Sequence, residues 1–345
     1  MAEILALGLS HYPPLVGPDA NMAYILKLML KNPDLPAELR DPANWPAPMR
    51  EQWAADDGTA AAASHREELV GWMRQVRAAL DDFAPDFVLI WGDDQYENFK
   101  EDVVPPYCIN AHDSFRFSPP ANNVWGEKDK VYELQGNRAA GKMLAKGLIE
   151  AGFDTAYSYQ PLHHPLGHAF ANAIFYLDYD REGFDYPILP FSVNCYGRKV
   201  IAQKGGLPVF DRTVREDEFD PPAPTPARLF DLGAATARIL ADSPYRVAIL
   251  ASSGWSHAFL TPKNHLLWPD TPTDRRLYDR LCSKDYLAWR DVTGPAIEDA
   301  GQQEVLNWMC LVGALHELDR APGTTGFVDT WIFNSSKVFL IAPPA

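Results

Sequence analysis

The chain has 345 residues, 47% of them hydrophobic, and its 46 acidic against 31 basic side chains give a formal net charge of −15. That balance disfavours nucleic acid and anionic membrane as partners, since both need basic surface; it leaves open a locally positive pocket for an anionic small molecule. No stretch nears the roughly 20 uninterrupted apolar residues of a membrane helix, and Glu3 stands where an export signal would be basic, so a cytoplasmic protein with one large core is expected.

The four cysteines (Cys108, Cys195, Cys282 and Cys310) show no paired spacing, which predicts buried thiols rather than disulfides or a zinc knuckle. Thirty prolines and 12% aromatic residues predict many ordered loops around an apolar cavity.

Residues 4–9 form a short apolar run ending at Ser10-His11-Tyr12-Pro13-Pro14, which reads as a buried strand delivering a histidine at its carboxyl end. Residues 31–58, rich in Pro, Asp, Asn and Trp, read as a loop or short helical insertion. A helix is predicted over residues 64–82, with Ser64 as cap, Glu67 completing a capping box, and Leu69, Trp72, Met73, Val76 and Leu80 as its apolar stripe. Residues 87–91 are the next strand, closed by Gly92-Asp93-Asp94-Gln95. The three elements make a βαβ unit, hence a parallel pair with a right-handed crossover.

Helices follow at residues 137–151, about 167–177, 230–240 and 302–318, and extended segments at 155–159, 188–193 and 245–251. The acidic, Pro-rich residues 205–227 read as a surface excursion. Alternating strands and helices without an internal repeat predict a single α/β domain over residues 1–345, with a mostly parallel central sheet and helices on both faces.

Several histidines stand where strands should end, which is where open α/β sheets build their sites. His11 ends the first strand, and His257 follows the strand at 245–251. His163, His164 and His168 follow the segment at 155–159. Singly, a histidine is more often a satisfied polar residue; several at one sheet edge favour a site. Glu304, ahead of a strongly apolar helix, is either a first-turn acid favoured by the helix dipole or a carboxylate aimed into that site.

In this order and spacing, five stretches resemble the class III extradiol ring-cleavage dioxygenases. They are Ser10-His11-Tyr12-Pro13-Pro14; residues 85–95 leading to Pro105-Pro106; Phe191-Ser192-Val193-Asn194; Ser253-Gly254-Trp255-Ser256-His257; and Glu304 ahead of Trp308 and Gly313-Ala314-Leu315. Within that family the chain looks most similar to the protocatechuate 4,5-dioxygenase catalytic subunit and to gallate and 3-O-methylgallate dioxygenases.

The resemblance implies Fe(II) held by two histidines and a carboxylate with positions left for catecholate and O2. It implies His11 and Glu304 as ligands, His257 as the acid/base residue and His164 as a second catalytic histidine. It also implies a small aromatic substrate of the gallate, methylgallate or protocatechuate kind.

One departure stands out: Gln95 occupies the place of the family's second histidine ligand. Either Gln95 ligates directly, or His65, expected to open the helix at the edge where both strands end, supplies the imidazole. In the second case Gln95, Asp93 or Asp94 would lie around the ligands. The His112-Asp113 pair, which follows a loop, is a weaker competitor for that place; His265 is expected in a loop and His316 to complement the dipole of the last helix, while His163 and His168 line the pocket or cap the helix at about 167.

In the protocatechuate enzyme a separate small subunit covers the active site, and the stretches at 31–58 and 205–227 could do so in cis, in a homodimer. Two other classes stay open: a metal-dependent hydrolase or lyase on the same scaffold, and a non-catalytic binding relative.

Overall fold

A computed structural model describes residues 2–118, 130–206 and 214–344. Ten strands run in chain order: β1 (Ile4–Leu9), β2 (Phe87–Asp93), β3 (Tyr107–Asn110), β4 (Ser114–Phe117), β5 (Tyr132–Gln135), β6 (Ala156–Ser158), β7 (Ile188–Val193), β8 (Val247–Ser252), β9 (Thr324–Val328) and β10 (Lys337–Ala342). Eight form one sheet in the order β6-β3-β7-β2-β8-β1-β10-β9, and β4 pairs with β5 in a separate ribbon.

The central run β7-β2-β8-β1 is parallel throughout, β3 pairs in parallel with β6, and β10 and β9 extend the sheet antiparallel from β1. The sheet is therefore mostly parallel. Every residue of β1, β2, β7 and β8 is buried, which is why these strands read as continuous apolar runs and not as alternation.

The main helices are α1 (Thr59–Phe83), α2 (Arg138–Glu150), α3 (His168–Leu177), α4 (Pro226–Ala241), α5 (Thr271–Cys282) and α6 (Val305–Glu317). Strand register shows that they cover both faces. Gly8 pairs with Leu340 and Leu340 with Thr325, so these positions point one way, and a Cβ on Gly8 would lie 2.3 Å from the Trp308 ring of α6. The adjacent pair Phe339 and Gly326 points the other way, and there the Trp72 ring of α1 stacks on Phe339 at 5.6 Å.

Helix α6 also packs on α4 at very short range. A Cβ on Gly233 would meet the Cys310 carbonyl at 1.9 Å, and one on Gly313 would meet that of Phe230 at 2.0 Å. That contact, with the all-buried stripe from Val305 to Leu315, fixes the helix that Glu304 precedes.

Most expected elements are present with shifted ends. The largest shift is in α1, which begins at Thr59 after Gly58 in a left-handed conformation (φ 81°). Ser64 is thus interior and does not cap. The run Ala60–Ala63, made of the strongest helix formers, extends the helix back past it. Strands β9 and β10 escape a local reading because β10 pairs with β1 at the opposite end of the chain and β9 pairs with β10.

The expected insertion at 31–58 is short-helical, with turns at Ala37–Arg40 and Pro42–Asn44 and a helix at Ala47–Trp53. It is anchored rather than loose, since Trp45 and Met49 are buried. Residues 207–213 of the expected excursion lie outside the described residues. Among the described residues no helix is long and apolar enough to cross a membrane.

Candidate metal centre

The carboxyl ends of β1, β2, β7 and β8 converge on one edge of the sheet and deliver four side chains to one point. His11 follows β1, Asp93 ends β2, His168 opens α3, and Glu304 is the residue before α6. One potential ligand atom from each lies within 4.8 Å of all the others. The four line or back a cavity of about 250 Å³, also walled by Tyr12, Ile25, Gln95, Tyr196, His257 and Phe259.

Second contacts orient each imidazole. The Ser252 hydroxyl donates to the Ala169 carbonyl at 2.7 Å, so its oxygen is left to accept from His11 Nδ1 at 3.0 Å. His11 is thereby held as the Nδ1–H tautomer, and its Nε2 lone pair faces Glu304 at 3.7 Å. His168 is arranged likewise: Nδ1 lies 2.9 Å from the Glu97 carboxylate, leaving Nε2 3.8 Å from Asp93 Oδ2. A histidine whose other nitrogen is held by a carboxylate is the usual support of a metal-binding imidazole.

The carboxylates are fixed in the same way. Glu304 accepts from the Tyr196 hydroxyl on Oε1 and from Gly254 N–H, at 2.9 Å, on Oε2. Gly254 must lack a side chain, because a Cβ there would meet His257 Cε1 at 2.8 Å and Ser335 Oγ at 2.9 Å. Asp93 is fully buried, and its Oδ2 has no hydrogen-bond partner among the described residues.

The electrostatics are those of a site built for positive charge. Burial raises the carboxyl of Glu304 to about 7, and burial, with repulsion from Glu304, lifts that of Asp93 well above its ordinary range. Burial opposes an imidazolium at His168, but Glu97, Asp93 and Glu304 together outweigh it and raise its pKa to about 10. His11, buried and beside His168 and His257, is pushed well below 6.5. Once His168 and Glu304 give up their protons, two imidazoles and two carboxylates make a mixed nitrogen–oxygen donor set of net charge −2, suited to a divalent first-row metal. The orphaned Asp93 oxygen fits a cation at this point.

His257 stands beside the cluster with Nε2 3.3 Å from Glu304 Oε1. Burial holds it neutral, with a pKa near 3, and its Nδ1 lacks a partner among the described residues. Buried Asp274 knots the turn that carries it to the segment carrying Glu304. Its carboxylate accepts from Ser256 N–H at 3.1 Å and from the Gln302 amide at 2.6 Å.

The residues singled out from sequence are thus not all together. His11, Glu304 and His257 meet. Gln95 is on the cavity wall, its amide nitrogen donating to the Gly205 carbonyl at 2.9 Å. His65 is not brought to the cluster. Because α1 begins at Thr59, His65 lies more than a turn inside the helix, its ring 4.9 Å from Phe333 and 6.4 Å from Tyr12.

His164 is exposed and does not line the cavity; its neighbour His163 pairs with Asp102 at 2.9 Å. The second imidazole of the cluster is His168, expected only to line the pocket or cap a helix. Glu97, Tyr196, Ser252 and Asp274 carry no local signal of their roles. Gly167-His168 at a helix start, one edge away from His11, was the available clue for His168.

No family model matches the chain. Curated relatives do, and they share one name. The chain is similar to proteins named as 1,2-dioxygenases. It is 28% identical over 218 residues to the 2,3-dihydroxyphenylpropionate/2,3-dihydroxicinnamic acid 1,2-dioxygenase 2 of Pseudomonas putida, covering 62% of this chain and 55% of that protein. The same-named enzyme of Klebsiella pneumoniae (strain 342) is 27% identical over 242 residues, 70% of this chain and 62% of the relative. That of Comamonas testosteroni is 26% identical over 205 residues, 58% and 51% respectively. The chain spans about half the length of the curated relatives it matches. These names support the dioxygenase expectation; the phenylpropionate and cinnamate substrates they print are those of the relatives, and none of the three names gallate or protocatechuate.

Proposed function

We propose that this chain is a non-haem Fe(II)-dependent extradiol dioxygenase that opens the ring of a catechol bearing a carboxylated side chain. The observation that carries the reading is the cluster of His11, Asp93, His168 and Glu304, with both imidazoles oriented through Nδ1 and a neutral His257 beside them. His11, His168, Asp93 and Glu304 would hold the iron. When bound, iron supplies the redox chemistry that lets a catecholate react with O2, and both oxygen atoms enter the ring-opened product.

The chain's own residues do the rest. His257, uncharged at neutral pH, accepts a proton from a catechol hydroxyl and returns it to the product, work for which a positioned imidazole is suited. Tyr196 and Gly254 hold the Glu304 carboxylate in one orientation. Ile25, Tyr196 and Phe259 wall the cavity against water, which strengthens every charge interaction inside it.

The test is anaerobic loading with Fe(II), addition of 2,3-dihydroxyphenylpropionate, then admission of O2. One O2 consumed per ring opened supports the reading; turnover without O2 overturns it in favour of a hydrolase or lyase. The anchored 31–58 insertion supports a chain active without a small partner subunit, and activity that appears only when such a partner is added overturns that part. A homodimer remains the expected assembly, to be checked by light scattering.

A further inference from the structure

We propose that a second chamber beside the metal cavity is a subsite for the carboxylate of the substrate's side chain, with Arg198 as its specificity-determining cation. The proposal rests on the reading above for what occupies the metal cavity. That cavity is lined by no lysine or arginine, and a carboxylate placed in it would stand against Glu304 and Asp93 in a poorly screened interior. An acidic arm must therefore leave it.

A neighbouring chamber offers the way out. A chamber of about 310 Å³ shares Tyr196 and Phe259 with the metal cavity, and Arg198, Lys199, Gln203 and Gln303 line it. Three of these hold a buried polar atom with no hydrogen-bond partner among the described residues: Arg198 Nε, Gln203 Oε1 and Gln303 Oε1. Buried polar atoms are nearly always paired; the two glutamine oxygens are acceptors, and Arg198 Nε is the orphaned donor that a carboxylate would satisfy.

Arg198 is under-used where it stands. The nearest carboxylate oxygen, on Glu298, is 3.8 Å from Nε, beyond hydrogen-bond length, and the guanidinium otherwise lies over the Phe219 ring at 5.3 Å. The fork is thus available for two parallel hydrogen bonds to a carboxylate, which lysine cannot reproduce. Exposed Lys199 adds a second cation, and the amide nitrogens of Gln203 and Gln303 are further donors.

The acids of the chamber are Glu298, offset by Arg198, and exposed Asp34. A ring in the first cavity with its carboxylate in the second requires a spacer that passes between Tyr196 and Phe259. The site therefore selects arylpropionates, arylacrylates or longer acids, and rejects benzoates.

Calorimetric binding of 3-phenylpropionate to the metal-free protein tests the subsite without asking for turnover. Arg198→Met should weaken that binding about 10- to 100-fold, the range of a lost charge-assisted pair, with Arg198→Lys intermediate and benzoate weak throughout. On the iron-loaded protein, KM for 2,3-dihydroxyphenylpropionate should rise by a similar factor in Arg198→Met, while KM for 3-methylcatechol stays unchanged.

Unaltered phenylpropionate binding in both variants, or equal losses for the two catechols, overturns the proposal. If neither catechol is opened yet phenylpropionate binding depends on Arg198, the subsite stands and the ring-cleavage reading falls. Should Arg198→Met not fold, Arg198→Lys carries the same comparison.

Discussion

Two histidines, half-buried His168 and buried His65, make an instructive pair, because both come from helices that pack on the sheet whose edge carries His11. Around His168 the surroundings are anionic and directional: Glu97 holds Nδ1, while Asp93 and Glu304 face Nε2. His65 has the opposite setting. Its Nε2 has no partner among the described residues, its ring lies against Phe333, and burial together with Lys337 pushes its pKa well below 6.5. Lys337 is itself fully buried, donates to the Phe333 carbonyl at 2.7 Å and sits 3.8 Å over the Tyr12 ring. Proximity to a sheet edge is common to both histidines; a charge environment ready for a cation belongs to one.

The contrast can be broken by substitution. The largest effect is expected at His257, which stands beside the four-residue cluster and is the acid/base residue of the proposed reaction. His257→Gln should lower kcat about 10²- to 10⁴-fold, the usual weight of a positioned acid/base group, with metal content unchanged; retained turnover would refute its role.

Next comes the support of His168. Glu97→Gln should weaken metal binding about 10- to 100-fold, as loss of an orienting carboxylate commonly does, measured by competition with a chelating dye. Metal affinity should also rise with pH. The metal-free centre holds protons on Glu304, at about 7, and His168, at about 10, and they must leave as the ion binds. An affinity flat between pH 6 and 8 would contradict that account.

The smallest effect concerns the other region. Burial holds Lys337 well below its ordinary pKa, so the unfolded chain binds the extra proton and stability rises with pH from the folded pKa up to about 10.4. Lys337→Met should remove that slope, giving a stability advantage at pH 7 that narrows as pH approaches 10 in thermal melts. Equal slopes in the two proteins would show that Lys337 stays charged when folded.

What was legible in the sequence follows the same division. Runs such as Phe87–Asp93 and Val247–Ser252 announce buried parallel strands, and the residues at their ends, His11 and His257, announce the edge where the site lies. Glu304 is legible only through the order of motifs, since a first-turn acid is otherwise ordinary.

His168 was not legible as a site imidazole, because its role depends on Glu97, seventy-one residues earlier, and on Asp93 at the end of a different strand. His65 stands where it does for a local reason: the alanine run moves the helix start back to Thr59, and the ring lies against Phe333 and Tyr12. Gln95 occupies the expected place on the cavity wall, its amide nitrogen tied to the Gly205 carbonyl by a contact no local pattern encodes.

The central claim is that the second imidazole of the metal centre is His168. Titration of Fe(II) or Mn(II) into His168→Ala and His65→Ala, each compared with the unaltered protein, tests it most directly. Metal binding should fall by more than about 100-fold in His168→Ala, beyond the loss of an orienting contact, and stay within about twofold in His65→Ala, as for a site that shares no partner with the centre. Intact binding in His168→Ala with loss in His65→Ala would contradict the account.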